Sequence, residues 1–423
     1  EKYKQIAKDL DCSESRVRDI GSKLWQMLSE ELGEDVNKSN LRSALERLQN
    51  YIAVNFAQNV NGSFNICGEA RHPPDLANSH PINQETSSTK QSQISHQDLS
   101  EMPDLGDFSN RTLELETLKT GILQQRCRLI SLTGISGIGK TTLAAQLIQQ
   151  IKDDFEYVVW HSLEASPTFA EFEDNLIQFF SQSEKLDLSE NNQKGLPLIK
   201  YLQKHRCLVV LDDLHNLFIS GEFAGKYKQG YEEYRNFFKQ IEKLSHQSCF
   251  ILIGWEQPRE VPLNSKNTHI RSLQLKGLDV AGGREILKDY GLEEVDNWEA
   301  LIQRYQGNPL YLKTVATLIQ DLGGGAAELF PNDTILLPED LKDVLERQCD
   351  RISPIEKQVI LLLAQESEPV NLAKLLENSL ITATDLLNAI QSLSRRCLIE
   401  QQASFYTISP VLKQYVANIK PSN

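Results

Sequence analysis

The run Gly134-Ile-Ser-Gly-Ile-Gly139-Lys140-Thr141 fits the spacing G-x-x-x-x-G-K-[ST] in full, and the chemistry of that spacing is the grip of a polyphosphate. Glycines let backbone N–H groups turn inward around phosphate oxygens where a Cβ would intrude. The expected cradle is Gly134, Ser136, Gly137, Ile138 and Gly139, continued by Thr142 in the helix that follows. Lys140 brings positive charge to the β- and γ-phosphates, and Thr141 offers a hydroxyl to Mg²⁺. The helix opening there points its positive dipole end at the ligand. The second half of such a site is an acid at the end of an apolar strand. Leu208-Val-Val-Leu211-Asp212-Asp213 supplies two: Asp212 to hold Mg²⁺ through water and Asp213 to polarise an attacking water. Alone, paired acids ending a strand also suit a helix cap or a surface turn; the grip upstream favours the site.

The elements that must position these residues are legible around them. RLISLTG is a strand running into the Gly-rich turn, and EYVVWHSL, RCLVVLDDL and SCFILIGW are three further apolar strands. Amphipathic helical segments such as EFEDNLIQFFSQ stand between them. Continuous apolar strands alternating with helices predict a parallel sheet covered on both faces. After about Leu273 the strand signal fades and REILKDYGL, NWEALIQRYQGNPLYLKTVATLIQDL and PEDLKDVLERQC read as helical. From Ile352 to Val416, Ser353-Pro354-Ile355-Glu356 is a capping box opening a helix. Two more helices and a hairpin (CLIEQQ, SFYTIS) complete winged-helix order. Residues 1–70 also read as helical, with Asp11 or Ser13 as an N-cap between two short helices in helix-turn-helix fashion. Residues 71–104 are rich in Ser, Gln and Pro and too poor in apolar residues to fold alone. The expected organisation is therefore multidomain, α and α/β. It comprises an N-terminal helical domain (1–70), a flexible linker (71–104), a P-loop nucleotide-binding domain (105–272), a helical domain (273–350) and a winged helix (351–420).

Composition narrows the functional classes. The chain has 423 residues, 44 Lys and Arg against 58 Asp and Glu, and a net charge of −14. Such a balance argues against coating nucleic acid or anionic membrane through bulk charge. The seven cysteines lie far apart with no CxxC pair, as reduced thiols in a cytoplasmic protein do. No apolar run is long enough to span a bilayer. His161, His205, His215, His246 and His269 share no metal-ligand spacing. The sequence begins at Glu1 rather than Met, so a fragment or processed chain is expected.

SLTGISGIGKTTLAAQL, the CLVVLDDL strand and QGNPLYL (Gln306 to Leu312) together resemble the NB-ARC branch of the STAND signalling ATPases, from about Phe108 to Val416. The order of parts is also similar: entry segment, P-loop core, helical domain, winged helix. The resemblance implies that DFSNRTLELETL lines an adenine pocket with Arg111 at the position of the family's arginine. It also implies that Pro309 packs against the base and that the Gly307–Leu310 turn senses nucleotide. YKQIAKDLDCSESRVRDIGSKLWQMLSEELGE is similar to the helix-turn-helix module preceding NB-ARC domains in cyanobacterial proteins. Two positions depart from the family pattern. Gly254-Trp255, followed by Glu256, stands where members carry Thr/Ser-Arg to sense the γ-phosphate. Ser409 stands where the winged helix often places a histidine on the ADP β-phosphate. A hydroxyl there can donate one hydrogen bond.

The resemblance implies a switch: ADP between three domains holds a closed monomer, and exchange for ATP opens it towards self-association, with slow hydrolysis resetting it. A population shift of this kind requires nucleotide to bind one arrangement better than the other. An effector or sensor would attach through residues 1–70 or beyond Asn423. Two rival readings are a P-loop kinase, which gives the winged helix no purpose, and a nucleotide-regulated DNA-binding regulator. Residues 1–50 hold nine basic and ten acidic residues, whereas duplex binding leaves a clearer basic footprint. Association with protein is therefore favoured over DNA. Trp255 is left open between core packing and a role near the γ-phosphate.

Overall fold

The computed structural model describes residues 15, 95–106, 110–183, 198–263, 269–292, 298–323, 335–377 and 381–418. The chain divides into two compact units, residues 1–88 and 89–423, and every element that follows lies in the second. The N-terminal helix-turn-helix and most of the expected linker fall outside the described residues.

The first of the second unit's layers is a six-stranded parallel sheet. Its strands are β1 (His96–Asp98), β2 (Leu129–Thr133), β3 (Tyr157–Ser162), β4 (Cys207–Asp212), β5 (Cys249–Gly254) and β6 (Ile270–Gln274), in the order β1-β3-β4-β5-β2-β6. All its pairings are parallel. Strands β2, β4 and β5 are buried at every residue, which is why they read as unbroken apolar runs. Two apolar clusters cover the two faces, one led by Leu143, Leu147 and Trp160 and the other by Phe172, Phe180 and Tyr234. The helices that supply them are α1 (Thr112–Lys119), α2 (Lys140–Ile151), α3 (Phe169–Ser183), α4 (Leu198–Lys204) and α5 (Glu232–Lys243).

Two strands correct the sequence reading. β1 lies inside the stretch expected to be a linker, and its residue register on β3 runs from His96↔Tyr157 to Asp98↔Val159. A three-residue edge strand with polar side chains has no periodic signal to betray it. β6, which ends where the strand signal was read as fading, was not read as a strand; it carries Arg271, Ser272 and Gln274, polar residues an edge position tolerates.

Beyond the sheet the chain is helical: α6 (Val280–Asp289), α7 (Trp298–Arg304), α8 (Pro309–Asp321) and α9 (Glu339–Cys349). The last body contains α10 (Pro354–Gln365), β7 (Val370–Asn371), α11 (Leu372–Glu377), α12 (Ala383–Arg395), β8 (Ile399–Gln402), β9 (Phe405–Ile408) and α13 (Pro410–Asn418). Its strands form an antiparallel sheet, β7-β9-β8. The capping box at Ser353 is formed in both directions, with Glu356 Oε2 accepting from Ser353 N at 2.8 Å. One apolar cluster runs from Leu278 in the helical body through to Val416 in the last body. These two bodies therefore share a core and form a single mass packed against the sheet-bearing core. Among the described residues no helix is long and apolar enough to cross a membrane.

Candidate functional site

The phosphate grip sits between β2 and α2, with Gly139 as the N-cap of α2 at φ 98°. Gly137 (φ 72°) also occupies the left-handed region, where glycine alone is free of Cβ strain. A Cβ on Gly139 would meet nothing within 4 Å, whereas one on Gly137 would fall 2.2 Å from Leu310 Cβ. The loop thus opens towards a cleft at Gly139 and is tightly covered at Gly137. That cleft holds about 480 Å³ and is lined by Ser136, Gly137, Ile138, Gly139, Lys140, Thr141 and Thr142 on the loop side.

Lys140 is buried, and its Nζ donates to the carbonyls of Gly134 (3.0 Å) and Ile135 (3.1 Å). Burial pulls its pKa down to about 8, an effect partly offset by Cys397, Asp212 and Asp213. Opposite it, Asp212 ends β4 and accepts the N–H of Asp213 at 2.8 Å and the hydroxyl of Thr141. Burial, then the neighbouring Asp213 carboxylate, pushes Asp212 up to about 6. Asp213 is raised in the same direction, by burial and by Glu164. Its backbone is left-handed at φ 56°, a conformation that a short polar residue tolerates and that turns the chain sharply at the strand's end. Two neighbouring acids displaced towards the neutral form, the first bonded to a threonine hydroxyl, are an all-oxygen set of the kind a hard divalent cation favours. A buried ammonium on the same cleft suits a polyphosphate. The donor set fits nucleotide with Mg²⁺.

Arg111 lines the cleft from the segment before α1, 5% exposed. Its guanidinium donates to Ile138 O (2.9 Å), Lys276 O (2.6 Å) and Glu114 (3.0 Å). It therefore tethers the phosphate loop to the segment after β6. Pro309 and Leu310 line the cleft from the start of α8. Leu310 N donates to Gly137 O at 3.2 Å.

Asn308 was missed as a site residue. It is fully buried, caps α8 through Leu310 N and Tyr311 N, and donates from Nδ2 to Ser136 O at 3.0 Å. The Asn-Pro pair carries a local N-cap signal, but a bond across 172 residues carries none. Ile286, Asp289, Tyr290 and Lys313 also line the cleft without any motif to announce them.

Gly254 and Trp255 also line the cleft. Trp255 stacks on His215 with centroids 4.1 Å apart and planes 11° from parallel. Burial, then the Arg351 charge, brings the His215 pKa down to about 3, so this stack is made by a neutral imidazole. Ser409, expected at the cleft, instead lines a neighbouring cavity of about 250 Å³ behind the phosphate loop. Its Oγ accepts from Leu412 N at 3.1 Å and so caps α13. Contact between the last body and the base of the loop comes from Cys397, whose thiol meets the Thr133 hydroxyl.

Residues 111–218 match the family model of the NB-ARC domain, and residues 1–48 match that of the vWA-MoxR associated protein N-terminal HTH. An uncharacterized WD repeat-containing protein of Nostoc sp. is 36% identical over 368 residues, 83% of this chain and 28% of that protein. The chain thus spans little more than a quarter of that relative. Among solved structures, the Walker-type ATPase of Pyrococcus abyssi aligns over 74% of this chain and 96% of its own, at 16% identity and a TM-score of 0.48. A Signal Transduction ATPase with Numerous Domains from Pyrococcus horikoshii, bearing a tetratricopeptide repeat sensor, aligns over 76% and 44% at 18% identity and a TM-score of 0.37.

Proposed function

From the premise that this chain carries an NB-ARC domain of the P-loop ATPase type behind an N-terminal HTH module, we propose that it is a nucleotide-controlled signalling switch. ADP or ATP with Mg²⁺ occupies the cleft, and the bound phosphates supply the negative charge that Lys140 lacks. Thr141 and Asp212 hold the cation. Asp213, one residue further on, orients and polarises a water for slow hydrolysis. Arg111, Pro309 and Leu310 close the base end.

One observation carries the reading: Asn308 and Leu310 bond to the carbonyls of Ser136 and Gly137. The helical body is thereby fastened to the same loop that must cradle phosphate, so any shift of the loop on ligand binding strains or relieves the docking of a second body. This is the differential interaction a population shift requires. The C-terminal body is read as a winged helix that moves with the helical body, exposing a surface for self-association. Residues 1–48 are read as the attachment for an effector protein, in a cytoplasmic setting.

The test is to denature the purified chain and identify the nucleotide released. ADP is expected, or ATP if hydrolysis is crippled, with the Lys140→Ala variant empty. Wild-type chain that releases no nucleotide and has no measurable affinity for ADP or ATP would overturn the reading.

A further inference from the structure

Glu256 follows the cleft-wall residue Trp255 and is 1% exposed. Two arginines reach it from the opposite mass. Arg351, between α9 and α10, meets Oε1 at 2.5 Å, and Arg396, at the end of α12, meets Oε2 at 2.9 Å. Arg396 also holds Glu356 of its own body at 3.2 Å and donates to Glu222 O of the core at 2.6 Å. Arg351 donates further to His215 O at 2.7 Å. We infer that Glu256, Arg351 and Arg396 form a latch that holds the helical and C-terminal bodies closed on the nucleotide-binding core, and that its release opens the Trp255 side of the cleft. The purpose of the latch rests on the switch reading; its existence as a closing contact does not.

Three features distinguish this cluster from a static buried ion pair. Both arginines arrive on one mass, since a single apolar cluster joins their two bodies. Among the described residues, Ile135 and Phe223 of the core pack against that mass's apolar cluster, and Ile138 and Leu275 line a cavity with its Tyr311, Leu345 and Leu398. Around Glu256 the seam is polar. Gly221 N donates to Arg351 O at 3.0 Å, Ala224 N to Ser392 Oγ at 2.7 Å and Gln257 N to Arg395 O at 3.0 Å. A polar seam separates more readily than an apolar one because water replaces each lost partner. Lastly, the cluster divides unevenly. If the mass swings away, Arg396 keeps Glu356, whereas Glu256, among the described residues, keeps the N–H of Gly225. Glu256 is therefore the residue whose charge discriminates between closed and open arrangements.

The amides of Gly221, Ala224 and Gln257 report the seam directly. Hydrogen exchange on the full 423-residue chain, ADP-loaded and nucleotide-free, should show these three exchanging about tenfold faster or more in Glu256→Gln. Amides within β2 and β4 should be unchanged. Release of a fluorescent ADP should quicken by a similar factor. Arg351→Gln repeats the test from the partner, in case Glu256→Gln fails to fold. Glu356→Gln serves as control, because its bond to Arg396 lies within one body and should leave the seam closed. The double variant Glu256→Gln/Arg351→Gln should be no faster than the faster single, as expected when two groups act through one bond. Exchange at the three amides within about twofold of wild type in both single variants, or additive effects in the double, would overturn the latch. Neither result requires nucleotide to bind, so a failed latch and a failed switch reading remain distinguishable.

Discussion

Lys140 and Asp212 in the cleft, and Glu256, Arg351, Arg396 and Glu356 in the cluster at Glu256, are six charged groups largely withdrawn from water. In the cleft, Lys140 meets carbonyls and Asp212 meets a hydroxyl and an N–H. In the cluster at Glu256, every carboxylate meets a guanidinium and the four charges sum to zero. The first arrangement is complementary to something the chain does not supply. The second is complementary to itself. The difference teaches how to separate binding machinery from structural charge: removal of a group from the cleft should relieve the fold, and removal from the cluster should injure it.

The largest effect is expected in the cluster. Glu256→Gln leaves Arg351 without its carboxylate and Arg396 with Glu356 alone, and loss of one partner from a buried pair costs about 3–5 kcal/mol. Urea denaturation of the nucleotide-free chain should register that loss. A loss under about 1 kcal/mol would mean that water already reaches the seam, and the contrast with the cleft would vanish.

This contrast also marks the limit of sequence reading. The phosphate loop and the Asp212-Asp213 strand end were legible because each is a local pattern whose chemistry depends on neighbours in sequence. The capping box at Ser353 was legible for the same reason. Glu256 was noted only as the residue that follows Gly254-Trp255, the pair matched to the family's Thr/Ser-Arg. Its partners lie 95 and 140 positions away, and no spacing rule spans that distance. Ser409 lines the cavity beside the cleft, because a position in a motif fixes the backbone but not the direction a body faces after docking. β1 was missed because three polar residues derive their strand conformation from β3, not from themselves.

In the cleft the expected sign is opposite. The native pKa of Asp212, about 6, stands above its ordinary 3.8. Between those values the folded chain holds a proton that the unfolded chain has released, so stability falls as pH rises through the window. Above about pH 6 the full penalty is present; at about 1.4 kcal/mol per pH unit it amounts to roughly 3 kcal/mol. Asp212→Asn should therefore raise the unfolding free energy of the nucleotide-free chain by up to that amount at pH 8. The gain should shrink to nothing near pH 3.5, below both values. Mg²⁺-dependent nucleotide retention should be lost in the same variant. A variant less stable than wild type at pH 8 would show that Asp212 is as well paired as Glu256.

The smallest effect sharpens the boundary of the cleft. Ser409, which the resemblance matched to the family's histidine, lines the cavity behind the loop and caps α13. As a capping residue, Ser409→Ala should lower stability by about 1 kcal/mol, the ordinary loss for a helix N-cap hydroxyl. As a residue outside the cleft, it should leave the rate of ADP release unchanged. The two measurements must part company for this assignment to hold. If release quickens while stability is untouched, Ser409 reaches the phosphates after all, and the closed arrangement of the last body differs from the one that places Cys397 beneath Lys140. If stability alone falls, the phosphates are gripped from the loop and the helical body, and the last body is held shut by the arginines on Glu256.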